Sequence, residues 1–231
     1  MSDTTRGAQL GTPRRQLSDE VASHVRELIM SGVLRSGEFI RQERIAEELD
    51  LSATPVREGL LSLKGDGFVV LKPRRGFVVA PLNGSDVRDL FTAQALLAGE
   101  LVFRAAQHVT KDELAELQRL HKELRKAANA GDGDLVEELN HRFHRDINLC
   151  AASPRLAWML SIGSKFAPRR FFATIPGWSK ASAQDHAAIL AALVEHDGAA
   201  ARAAMTKHME NAGELLAEHF EAAQAPDERR A

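Results

Sequence analysis

The sequence predicts a mainly α-helical protein in two parts: three helices with a β-hairpin, then an all-α bundle of six or seven helices. Three observations carry this. Apolar residues recur at three- and four-residue spacing through most of the 231 residues. Runs of β-formers occur in only one place, as FVVL and GFVVAPL around the turn KPRRG. From Ser85 onward the strand signal disappears, and helical runs are broken only at GDGD, SP, PGW and HDG.

Composition sets the outer bounds. A hydrophobic content of 44% with 27% charged residues is that of an ordinary globular chain. A single cysteine, Cys150, excludes an internal disulfide framework and fits a reducing compartment. No run of roughly 18 apolar residues is present, and MSDTTRGAQLGTPRRQ lacks an apolar signal core, so a cytoplasmic protein without a membrane partner is expected. The net charge of −2 does not by itself suggest a nucleic-acid partner, and residues 1–84 carry 12 Lys and Arg against 11 Asp and Glu. A DNA-binding assignment must therefore rest on where the charges sit.

Residues 1–15, rich in Thr, Gly, Arg and Pro, read as disordered. In LSDEVASHVRELIMSG, residues Val21, Val25, Leu28 and Ile29 mark one helical face and Gly32 ends the run. RSGEF reads as a turn. QERIAEELD is a short helix with Ile45, Ala46 and Leu49 inward and Arg44, Glu47 and Glu48 outward. Ser52 or Thr54 caps a third helix that tolerates Pro55 in its first turn and runs to about Lys64. The hairpin completes a first domain over residues 16–82. Helices over roughly 85–108, 111–130, 132–151, 153–172, 180–196 and 198–222 make a second domain, 85–223, and residues 224–231 read as a disordered tail.

Three helices followed by a hairpin is the plan of a winged helix-turn-helix, in which the N-terminal residues of the second helix of the turn enter the major groove. Thr54 and Arg57 lie in the first turns of that helix, while Val56, Leu60 and Leu63 hold it onto the other two. Arg44 begins the preceding helix, where a phosphate meets both a side chain and a helix N-terminus. Lys72, Arg74 and Arg75 concentrate charge at the hairpin tip, and Gly76 permits close backbone approach. Any one of these cations is equally at home on a solvated surface; the set on this plan points to DNA.

In the second part, His144, His186 and His208 each sit within an apolar helical face, and Asn140 lies one turn before His144. A lone buried histidine is more often a hydrogen-bonded core residue than a ligand. Three of them with a turn-spaced oxygen donor make a divalent-metal site a competing reading, because one cation satisfies several buried imidazoles together.

The stretch SGEFIRQERIAEELDLSATPVREGLLSLKGDGFVVLKPRRGFVV resembles the N-terminal signature of the GntR superfamily of bacterial transcription regulators. That resemblance implies operator contacts by Arg44, Thr54, Arg57, Arg75 and Gly76. The family usually carries Arg between the Ser and Thr of SRTPVR, and Ala53 stands there in this chain. FHRDINLCAASPRL and DHAAILAALVEHDGAAARAAMTKHM resemble the helical effector (FCD-type) domain of the FadR-like branch. Many members of that branch hold a divalent ion through an Asp four residues before the first His, that His and two later ones. Carried over, these are Asn140, His144, His186 and His208, with Asn in place of Asp; zinc or nickel is expected of so nitrogen-rich a set. A neutral amide leaves the ion its full charge, which favours an anionic effector. The branch often carries Arg and Glu on the first effector-domain helix, where Gln94 and Ala98 align. Arg169 and Arg170 offer an alternative cation for an effector.

The expected protein is a ligand-responsive DNA-binding transcription regulator, not an enzyme: a homodimer on a palindromic duplex operator, a repressor released by a small organic-acid-like metabolite. Two alternatives stay open, a metal-dependent enzyme built on the three histidines and a DNA-binding dimer without a ligand.

Overall fold

The computed structural model describes residues 13–165, 175 and 178–224. Among these the elements run α1 (Pro13–Met30), β1 (Phe39–Ile40), α2 (Gln42–Leu49), α3 (Ala53–Gly65), β2 (Val69–Lys72), β3 (Gly76–Val79), α4 (Gly84–His108), α5 (Lys111–Ala130), α6 (Gly133–Cys150), α7 (Pro154–Ser164), α8 (Trp178–Val194) and α9 (Gly198–Gln224). The chain divides into two compact units, Met1–Pro81 and Leu82–Ala231. It is mainly helical, and among the described residues strands occur only in the first unit. No helix among the described residues is long and apolar enough to cross a membrane.

In the first unit α1 packs on α3. The closure is tight because Gly59 has no side chain: a Cβ there would stand 2.7 Å from the Ser18 carbonyl oxygen and 2.7 Å from Val21 Cγ1. Val21, Val25, Ile29, Ile45, Val56, Leu60, Leu63 and Phe77 form the buried core, so the apolar stripes read from the sequence do face inward. The first turn of α1 overlaps the Arg/Pro-rich N-terminal stretch.

Two local features differ from the sequence reading. The predicted two-stranded hairpin is part of a three-stranded antiparallel sheet in the order β1-β3-β2, with Phe39 opposite Val78 and Val69 opposite Val79. RSGEF is therefore a turn that delivers Phe39 into a strand; Gly37, at φ +79°, lets the chain double back, and its N–H donates to the Val79 carbonyl. Ser52 occupies the N-cap position of α3 in extended geometry, yet its hydroxyl makes no capping hydrogen bond.

Lys72 pairs with Gly76, so the loop of the hairpin is Pro73-Arg74-Arg75. The Arg75 N–H donates to the Lys72 carbonyl at 3.1 Å and Arg74 has φ +62°. Proline at the second position and positive φ at the third define type II turn geometry.

In the second unit α4 and α9 pack along each other over most of their length. Gly213 lets Phe91 approach, since a Cβ there would lie 2.5 Å from Phe91 Cβ. At one end of the pair Arg88 donates to Glu214 and Glu221, each at 2.7 Å. α5 packs on α6 through Leu117, Leu120, Leu124, Leu139, Phe143 and Ile147, and α8 packs on α5 and α9. α5 starts at a capping box of Thr110 and Glu113 and ends at left-handed Gly131. α4 starts at a second box, of Asn83 and Asp86. The predicted fourth bundle helix over 153–172 is described only as α7, Pro154–Ser164.

Candidate functional site

In the first unit, Thr54 and Arg57 are exposed on α3, three residues apart on the side opposite buried Val56 and Leu60. Arg57 makes no ion pair among the described residues. Leu61, one turn further along that face, is 41% exposed; an apolar side chain there was not singled out in the sequence, although the i, i+3, i+4 spacing from Thr54 and Arg57 shows it. Arg44 is exposed on α2 and donates from Nε to Glu48 at 2.7 Å, an exposed pair of little energetic weight. At the wing, Lys72, Arg74 and Arg75 are exposed, and the Arg75 guanidinium lies 4.8 Å from the centroid of the Phe39 ring. Gly76 has φ +92°.

In the second unit, α6, α8 and α9 bring His144, His186 and His208 together, with their ligand atoms all within 4.8 Å of one another. His144 Nε2 lies 3.3 Å from His186 Nε2 and 3.2 Å from His208 Nε2. His186 and His208 are buried, and His144 is half-buried where it lines a cavity. Burial holds the His144 and His186 imidazoles well below the usual histidine range, with neighbouring imidazoles adding to the effect. Converging Nε2 atoms are what a divalent cation requires, and the lowered affinity of His144 and His186 for protons leaves those two free to ligate. Nitrogens about 2.0–2.1 Å from a common centre stand roughly 3.3 Å apart in a tetrahedron, which matches the two closest separations.

The surroundings complete the set. Asp185 Oδ2 sits 3.4 Å from His208 Nδ1 and accepts from Asn211 Nδ2 at 3.1 Å. The His208 bond is the largest influence holding the Asp185 carboxyl below the usual carboxylate range. A carboxylate on the far ring nitrogen fixes the tautomer and orients a ligating histidine. Sequence reasoning missed Asp185 and Asn211; the signals were an acidic residue beside His186 and an amide three residues after His208. The His186 ring stacks on Phe143, with centroids 4.3 Å apart. By chemistry and separation, the donor set fits a divalent metal ion.

A cavity of about 110 Å³ adjoins the histidines, bounded by α4, α6, α7, α8 and α9. Asn140, His144 and His208 lie on its wall. Asn140 Oδ1 is buried and has no hydrogen-bond partner among the described residues. Gln94 is 4% exposed, lines the same cavity, and its Nε2 also lacks a partner among the described residues. Arg169 and Arg170 lie outside the described residues.

A helix-turn-helix unit with a basic wing, joined to a helical unit with a histidine-lined cavity, defines a class. Residues 17–79 match the bacterial regulatory proteins of the gntR family, and residues 89–211, more than half of the chain, match the FCD domain. The chain belongs to this family, in its branch with the FCD domain. It is 28% identical to the Uxu operon transcriptional regulator of Escherichia coli over 86% of this chain and 86% of that one. It is 29% identical to an HTH-type transcriptional regulator of Mycobacterium tuberculosis, over 68% of this chain, and spans 63% of that protein's length. Among solved structures it is similar to E. coli McbR, with a TM-score of 0.68, 24% identity, and coverage of 88% of this chain and 98% of that one.

Proposed function

We propose that this protein is a DNA-binding transcription regulator whose FCD domain holds a divalent metal ion and a small anionic effector, and which represses a catabolic or transport operon as a homodimer on a palindromic operator. The observation that carries the reading is the presence in one chain of an exposed Thr54/Arg57 helix face with a basic wing and of a cavity beside three converging histidines. One recognition helix per chain supports a two-fold dimer on repeated half-sites. The similarity to transcriptional regulators of E. coli and M. tuberculosis supports the regulatory role.

On this reading Arg57 reads a base, Thr54, Arg44 and Lys72 position the unit on phosphates, and the wing tip of Arg74, Arg75 and Gly76 follows the backbone of the duplex. His144, His186 and His208 hold the ion with Asn140 beside them, and Asp185 keeps His208 in the tautomer that presents Nε2. The bound ion supplies a positive charge for an anionic ligand to meet. Gln94 orients the remainder of that ligand. Ligand occupancy and operator occupancy are coupled free energies of two sites.

Two results are expected. Footprinting shows two half-sites; Arg57→Ala weakens the specific operator by about tenfold to a hundredfold and relaxes the sequence preference at one position of each half-site. Arg74→Ala weakens all duplexes alike and lowers the slope of log affinity against log salt by about one unit. Small and equal effects of both would overturn the groove assignment.

Asn140→Asp is expected to raise zinc affinity by about tenfold, since a carboxylate adds charge and a stronger oxygen donor, and to weaken simple anions at the same site by cancelling part of the positive charge. Metal titration and acetate titration of the same variant read the two effects. Movement of both in one direction would remove Asn140 from the site.

A further inference from the structure

We infer that Leu61 is a base-reading residue of α3: its side chain packs against the 5-methyl group of a thymine in the major groove, near the base that Arg57 reads. The inference rests on the reading above that α3 lies in that groove. It goes further by adding a second specificity-determining residue of different chemistry.

The α3 helix has two distinct faces. Pro55, Val56, Gly59, Leu60 and Leu63 are buried. At about 100° per residue, Thr54 and Leu61 fall within about 20° of the line directly opposite the middle of that buried face, and Arg57 stands about 50° to one side. Leu61 is 41% exposed, whereas Leu60 and Leu63 are fully buried. Leu61 is thus not part of the core that holds α3 in the unit. A helix that reads the major groove can do so with side chains at i, i+3, i+4 and i+7, the spacing used by the third helix of a homeodomain. Thr54, Arg57 and Leu61 occupy the first, second and last of these positions, and Glu58, the remaining one, is half-buried.

Chemistry then selects the contact. Leucine has no hydrogen-bonding atom, so it cannot serve a phosphate, and against a polar base edge it would strip water without replacing it. The apolar group that base pairs offer in the major groove is the thymine 5-methyl. The neighbouring side chains agree with such a readout. Ala53 is exposed at the start of α3 and brings no cation, and Lys64 lies in the last turn. Between them the outer face presents the guanidinium of Arg57 flanked by the methyl groups of Thr54 and Leu61. Leu61 lies about 6 Å beyond Arg57 along the helix axis, or about two base-pair steps.

Deoxyuridine tests the contact, because it differs from thymidine only by lacking the 5-methyl group. The operator is first selected from a random duplex library with the full-length protein. Each thymine of the selected half-site is then replaced in turn, and affinity is measured at fixed salt. One thymine, about two base pairs from the position at which Arg57→Ala relaxes the preference, is expected to be sensitive, with binding weakened about threefold to fivefold. Leu61→Ala is expected to weaken the unmodified operator by about tenfold and to be indifferent to that replacement. Leu61→Met, which keeps an apolar side chain of similar volume, is expected to retain the methyl preference.

Absence of any thymine sensitive to its methyl group would overturn the inference, and this scan uses the unaltered protein, so it decides even if a variant fails to fold. A penalty that persists in Leu61→Ala would also overturn it, transferring the methyl contact to Ala53 or Thr54. Loss of self-association in Leu61→Ala with the penalty intact would assign the side chain to contact between copies of this chain. Failure of the broader reading looks different: Arg57→Ala would then leave every sequence preference unchanged as well. A selection that enriches no sequence would overturn both.

Discussion

If the three histidines hold zinc as proposed, replacing His186 with alanine abolishes zinc retention and, with it, the thermal stabilisation the ion would confer. His186 is fully buried and its Nε2 faces that of His144 at 3.3 Å, so one of the three candidate ligands is lost. A ligand that binds only the folded state adds about 2.7 kcal/mol at a hundredfold excess over its dissociation constant. The unaltered protein should therefore melt several degrees higher with zinc than without, and the variant at the same temperature in both. The zinc-dependent increment is the measurement that decides, because removing a ring stacked on Phe143 also changes the metal-free stability. His144→Ala and His208→Ala should behave alike. Asp185→Asn should keep the site but weaken it by about ten- to a hundredfold, the usual cost of losing an outer carboxylate. Unchanged zinc content in all three histidine variants would assign these rings to core packing.

The second large effect belongs to the DNA-binding unit. Gly59→Ala in the middle of α3 gains up to about 1 kcal/mol of helix propensity. It also places a methyl group 2.7 Å from the Ser18 carbonyl oxygen and 2.7 Å from Val21 Cγ1, both on α1. A backbone oxygen does not move aside as a flexible side chain does. Overpacking of this kind costs about 1–3 kcal/mol and outweighs the propensity gain. The expected result is a lower melting temperature with weakened operator binding, as α3 is pushed off its support. Gly65→Ala is the control: a Cβ there meets nothing within 4 Å, so the substitution should be neutral or stabilising. A rise in melting temperature for both would show that α1 and α3 do not approach so closely.

These two positions illustrate what the sequence discloses. Helix periods are local, and α5 is legible over 111–130 because Leu114, Leu117, His121 and Leu124 keep helical spacing and GDGD breaks the run. β1 was not read, since two residues carry no period and the strand exists only because β3, some forty residues on, pairs with it. The tolerance of Gly59 for nothing larger is likewise a property of α1, not of α3. At the candidate site, the three histidines could be named from their positions on apolar faces and from the resemblance. Their convergence depends on three helices packing, and the carboxylate behind His208 comes from α8, a different helix from His208 itself. Gln94 can be aligned in the sequence, but that its Nε2 is buried without a partner among the described residues is visible only once α7 packs on α4.

The wing tip carries a consequence of its own. Its type II turn requires a left-handed residue at the third position, the place where glycine sits without cost and where most side chains are strained by roughly 1–3 kcal/mol. The chain has Arg74 there, at φ +62° and exposed to solvent. Among the described residues of the unit nothing recovers that energy: the side chain makes no contact there, and the turn would close as well with glycine. The folded protein alone is thus less stable than it needs to be at this one residue. If the wing follows a duplex as proposed, contacts of Arg74 with that duplex would offset the deficit, and Arg74→Gly would then stabilise the free protein while weakening the complex.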